Sequence, residues 1–114
     1  MPANLLADDV PNILAEEQFD LLLQRPGARL ERIVSTGQAT AAGQWLSQDH
    51  EEWVMLLAGA AGLTLEGEAP ATLAPGDCQL IPPGRRHRVE WTSADPPAVW
   101  LALHLGELPA DADF

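Results

Sequence analysis

The stretch Gly76-Asp77-Cys78-Gln79-Leu80-Ile81-Pro82-Pro83-Gly84-Arg85-Arg86-His87 constrains the fold of this 114-residue chain more than any other segment. Pro75-Gly76-Asp77 reads as a tight turn, because proline presets one backbone dihedral and glycine accepts the positive φ that follows. Cys78 to Ile81 is a short apolar run of strand character. Pro82-Pro83-Gly84 breaks it, since two successive residues lack the N–H that a ladder requires. The chain then restarts as Arg86-His87-Arg88-Val89-Glu90-Trp91, which alternates strictly. Its period of two puts His87, Val89 and Trp91 on one face and Arg86, Arg88 and Glu90 on the other. A histidine therefore opens a strand, on its less polar face, just past a rigid corner.

The spacing Gly, five residues, Pro-x-Gly, two residues, His is carried here by Gly76, Pro82, Gly84 and His87. It resembles the second signature motif of the cupin superfamily, with Trp91 where the motif ends in asparagine. The resemblance implies an all-β fold, a jelly-roll β-barrel. In that family a first motif (Gly, five residues, His-x-His, three or four residues, Glu, six residues, Gly) supplies two histidines and a glutamate. Together with the second-motif histidine they surround a divalent metal. Here Glu52, six residues and Gly59 anchor the end of that pattern. Counting back from Glu52 places the two histidine positions at Leu46 and Gln48, or at Trp45 and Ser47. Neither frame holds a histidine, and His50 lies off register.

Composition limits the partners. The net charge is −11, so nucleic acid and anionic membrane surfaces are poor partners, both of which select a basic footprint. No apolar run approaches the ~20 residues of a membrane-spanning helix. Met1-Pro2-Ala3-Asn4 lacks the basic start of a signal peptide, and Asp8-Asp9 interrupts the apolar stretch that follows. The single cysteine excludes an internal disulfide, which suits a cytoplasmic protein. Cys78 itself reads as a buried, inert thiol, because no feature of the sequence lowers its pKa.

The sequence predicts one domain over 1–114, with a lead and helix over 1–27, a barrel over 28–106 and an acidic tail over 107–114. The one short N-terminal α-helix is expected over Ile13–Gln24. Asn12 would cap it, Glu16 and Glu17 suit its positive end, Phe19, Leu22 and Leu23 form its apolar stripe, and Pro26-Gly27 stops it. Strands are predicted over 29–35, 43–47, 52–58, 62–66, 71–74, 78–81, 86–92 and 98–105. Short, evenly spaced strands with Gly/Pro corners suit a sandwich or barrel. Trp53-Val54-Met55-Leu56-Leu57 and Val99-Trp100-Leu101-Ala102-Leu103 are apolar on both faces, whereas a barrel interior needs only alternate residues. A second copy covering the outer face is the preferred account, hence a homodimer.

A reduced site of Gln48, Glu52 and His87 follows from the resemblance. Strand parity places Glu52 with Val54 and Leu56, and His87 with Val89. As metal ligands, Glu52 and His87 would suit iron, manganese, nickel or zinc, and Gln48 would be a weak third. The plainer reading makes Glu52 and His87 a hydrogen-bonded pair in a metal-free pocket. Trp45 and Trp91 are expected to line that pocket, or to serve as ordinary core. His50 reads as a solvated corner residue. His104 shares a face with Trp100 and Ala102, opposite Leu101, Leu103 and Leu105. If the leucines fill the core, which is preferred, His104 faces outward; if not, it joins the pocket. Three functions follow: a barrel that binds a small organic molecule (an anion being one option, given the arginines around His87), a metal-dependent enzyme of dioxygenase or isomerase type, or a packed structural barrel. The first is preferred, because a concave barrel mouth with apolar walls and a few polar groups makes a suitable pocket.

Overall fold

A computed structural model describes residues 2–6, 10, 11 and 13–107. These residues form eight strands: β1 (Gln18–Arg25), β2 (Ala28–Ser35), β3 (Glu51–Ala58), β4 (Ala61–Leu65), β5 (Ala71–Leu73), β6 (Cys78–Ile81), β7 (His87–Thr92) and β8 (Ala98–Leu105). They make two antiparallel sheets, one of order β1-β2-β8-β3-β6 and one of order β5-β4-β7. The apolar inner faces meet in one core built around Val54, Leu56, Leu63, Leu65, Ile81 and Trp100. Alternation sets the inner face of β3, where Glu52, Val54 and Leu56 are buried while Trp53, Met55 and Leu57 are half-buried on the outside.

No helix is present among the described residues, which corrects the expected helix over Ile13–Gln24. Its expected cap, Asn12, lies outside the described residues. Pro26-Gly27 does not stop a helix but turns a hairpin: Arg25 pairs with Ala28, and Gly27 takes a φ of 78°. Proline followed by a positive-φ glycine is a tight-turn sequence as much as a helix stop. The register of β1 shifts between Leu21 and Leu23, so Leu22 is the extra residue of a bulge. The Leu21-Leu22-Leu23 run matches a helical stripe and a bulged strand equally well. Pairing with β2 decides between them, because tertiary context outweighs a weak local propensity.

The predicted strand over 43–47 is also replaced. Only Leu46 pairs there, in an isolated bridge to His87. The segment is held instead by Arg88, whose guanidinium donates to the carbonyls of Thr40, Ala41 and Gln44 at 3.3, 3.4 and 2.9 Å. Cys78 is exposed rather than buried. It lies on β6, the outermost strand of its sheet, with Leu80 on the outer side, while Ile81 faces the core.

Gly59, just past β3, makes a close backbone approach to the segment before β8. Its φ is +77°, and a Cβ there would stand 2.5 Å from the Pro97 carbonyl oxygen and 2.6 Å from Ser93 Oγ. Both the left-handed conformation and the contact oppose any side chain. Gly59→Ala is expected to lower the unfolding free energy by roughly 2 kcal/mol, measured by urea denaturation. An unchanged midpoint would contradict this packing.

Candidate functional site

Strand register assembles the site. In the five-stranded sheet, Arg29 of β2 lies opposite His104 of β8, His104 opposite Glu52 of β3, and Glu52 opposite Ile81 of β6. Directly opposed residues share a face, so these side chains form one row across the inner surface. The next row runs Glu31, Ala102, Val54 and Gln79, with Glu31 buried and paired to Arg29, and the row after it is apolar, Ile33 with Trp100 and Leu56. His104 is therefore inside, at 1% exposure, and Leu101, Leu103 and Leu105 are the outward residues. The preference for a leucine core on β8 is corrected. The inner face instead carries the small Ala98 and Ala102 on either side of Trp100, which a crowded interior accommodates.

His50 is corrected as well. It is 7% exposed rather than solvated, and its Nε2 lies 2.8 Å from His104 Nδ1. The other nitrogen of His104, Nε2, stands 3.8 Å from Glu52 Oε2. Gln48 Nε2 donates to Glu52 Oε1 at 2.6 Å. His50, His104, Glu52 and Gln48 thus follow one another in a buried polar chain. Burial, with neighbouring His50 and Arg29, pushes the His104 pKa down to about 4, so the ring is neutral at neutral pH. Burial also lowers the pKa of His50, opposed by Asp49. Burial raises the Glu52 carboxyl, and the Gln48 amide partly offsets the rise. The cause is common to all: desolvation disfavours whichever form is charged.

His87 faces this row from the other sheet. It opens β7 opposite Leu65 and exchanges backbone hydrogen bonds with Leu46 at 2.7 and 3.0 Å. Its Nδ1 lies 3.0 Å from the Arg85 carbonyl oxygen. A carbonyl only accepts, so Nδ1 carries the proton and Nε2 of the neutral ring is left as an acceptor. Burial pulls the pKa of the ring downward, which maintains that form.

Between the sheets lies a cavity of about 290 Å³. Its polar lining is Glu17, Ser47, Gln48, Glu52, His87 and His104. Phe19, Ile33, Leu46, Val54, Leu63, Ile81, Val89 and Trp100 supply the apolar surface. Three expected site residues, Gln48, Glu52 and His87, are brought together here, and His104 joins them. Trp45 and Trp91 are placed elsewhere. Trp45 sits against the guanidinium groups of Arg86 and Arg88, 5.4 and 5.9 Å from its ring centre. Trp91 lies over Gly62 and is 41% exposed. The register of β7 skips Glu90 between Val89 and Trp91, so a bulge reverses the alternation and sends Trp91 outward.

The residues do not fit a metal centre of the family's kind. No three His, Cys, Asp or Glu side chains stand close enough to share an ion among the described residues. Gln48 turns its amide nitrogen to Glu52, and His104 directs Nδ1 at His50. Gln48 and His104 are thus engaged with neighbouring side chains.

A sequence model of the cupin domain matches residues 33–104. No curated protein matches the chain. Among solved structures, a candidate mannose-6-phosphate isomerase from Ralstonia eutropha JMP134 is 44% identical, with a TM-score of 0.88 over 92% of this chain and 97% of that one. A cupin superfamily protein from Desulfitobacterium hafniense DCB-2 is 15% identical, with a TM-score of 0.72 over 91% and 90%. A DMSP lyase from Ruegeria pomeroyi DSS-3 is 27% identical, with a TM-score of 0.57, over 75% of this chain but 42% of that one.

The buried histidine pair makes a measurable demand. His50→Ala and His104→Ala should show a coupling energy of about 1 kcal/mol in a double-mutant cycle, because each leaves the other ring without this partner. Strict additivity in chemical denaturation would contradict the 2.8 Å contact.

Proposed function

The chain belongs to the cupin family, and on that premise we propose that it binds a small organic molecule in the cavity between its two sheets. The observation that carries this reading is that Gln48, Glu52, His87 and His104 line one cavity whose wall is otherwise mostly apolar. A polar cluster fixes orientation, and apolar walls supply the transfer free energy. At about 290 Å³ the cavity sits at the small end of ligand sites. His87 offers an acceptor nitrogen, and Glu52 offers a carboxyl whose proton affinity is raised by burial. Both can recognise a hydroxyl or amino group. No step of this reading passes through a metal.

One observation favours a second reading, the 44% identity to the candidate mannose-6-phosphate isomerase. A hydroxycarbonyl compound in the cavity would place a C–H bond beside Glu52, which as carboxylate takes the proton from the hydroxyl-bearing carbon and returns it to the former carbonyl carbon. Nε2 of neutral His87 would take the hydroxyl proton and pass it to the carbonyl oxygen, so that the two groups exchange places. The described lining contains no cation to receive a phosphate group, so the substrate of this reading is an unphosphorylated one.

Screening by thermal shift and calorimetry tests the proposal. Ligands that raise Tm should lose about tenfold or more in affinity on His87→Ala, as expected for removing one buried hydrogen bond to a bound group. The circular dichroism of that variant should be unchanged. Binding should persist in EDTA, and protein purified without nickel resin should carry far less than one metal ion per chain. Ligands indifferent to both His87→Ala and Gln48→Ala would contradict the site. Stoichiometric metal lost on Glu52→Gln would replace the proposal with the metal-dependent one.

A further inference from the structure

The charges around the cavity select among ligands, an inference that rests on the reading of the cavity as a binding site. All six basic side chains of the protein are arginines, and none lines the cavity among the described residues. Each of five is already set against a carboxylate: Arg29 with Glu31, Arg32 with Asp20, Arg85 with Glu68, Arg86 with Glu66 and Arg88 with Glu90. Two carboxyl groups do line the cavity, those of Glu52 and of Glu17 next to the start of β1. The imidazole of His87 adds an acceptor and no charge. Trp100 and Phe19 add two aromatic rings to the wall.

We propose that the ligand is a small organic ammonium, with its nitrogen against Glu52 and its carbon body against Trp100 and Phe19. An ammonium group brings only donors, which match a carboxylate and an imidazole lone pair. Aromatic faces attract a cation. A carboxylate buried to 8% exposure is costly without a partner of opposite charge, and the ammonium supplies one beyond the neutral Gln48 amide. A carboxylate or phosphate ligand would meet Glu52 and Glu17 with no cation between them. The net charge of −11 adds to the same selection by concentrating cations near the protein.

The test uses three probes on one branched skeleton: isopentylammonium, isopentanol and isovalerate. Each is titrated into the protein near neutral pH while the methyl and indole NMR signals of Val54, Leu63 and Trp100 are followed. The ammonium is expected to bind about tenfold more tightly than the alcohol, and the carboxylate to bind weakest. Glu52→Gln should bring the ammonium down to the alcohol. Should that variant not fold, Glu17→Gln serves, with an expected loss of about threefold. Isovalerate binding as tightly as the ammonium would overturn the ammonium assignment and leave the cavity as a binding site. So would an alcohol that equals the ammonium in the unaltered protein. Failure of all three to move any cavity signal would overturn the binding reading itself.

Discussion

The placement of β8 between β2 and β3 is the constraint on which the rest of the structure depends. Its antiparallel register aligns Arg29, His104 and Glu52 in one row and Ile33, Trp100 and Leu56 in another. A slip of one residue would turn the whole strand over, burying Leu101, Leu103 and Leu105 and expelling His104. The polar lining of the cavity and its apolar walls are therefore two consequences of a single pairing. Neither could be changed alone.

That arrangement concentrates polar groups where they are costly and sets them against one another. His50, His104, Glu52 and Gln48 are linked in sequence, and His87 is fixed by the Arg85 carbonyl. Burial drives His104, His50 and His87 toward their neutral forms and raises the Glu52 carboxyl. Around the cavity burial thus favours neutral forms, while the largely buried charges of Arg29 and Arg32 are set against Glu31 and Asp20, in keeping with the high desolvation cost of unpaired buried charge. Elsewhere, Arg88 fastens the segment from Thr40 to Gln44, and Arg85 and Arg86 meet Glu68 and Glu66.

Much of the barrel was legible because its strands are short, alternating and bounded by Gly and Pro. The strands at Cys78–Ile81 and Ala98–Leu105 are found as read, and Gln48, Glu52 and His87 share one cavity. The misreadings have physical causes. Gln18–Arg25 has no strict period, and Pro26-Gly27 serves a helix stop and a hairpin equally, so only the pairing with β2 identifies a strand. Trp91 was assigned inward by counting in twos, a count that the bulge at Glu90 defeats. His104 was undecidable from alternation, because both faces of β8 are apolar. The small size of Ala98 and Ala102 beside Trp100 was the available signal, since small residues fit an interior that must also admit an indole. For His50 no local signal existed. Its burial comes from His104, 54 positions away along the chain.

The claim that His104 faces inward, within a buried polar chain, is tested most directly by following the three histidine rings with long-range proton–nitrogen NMR correlations as the pH is lowered. The account predicts that His104 keeps its neutral tautomer well below the ordinary imidazole range, titrating only near pH 4, while its Nδ1 stays coupled to His50. A His104 ring that titrates near the ordinary value of about 6.5, independently of His50, would place it in solvent. The register of β8, and with it the site, would then be wrong.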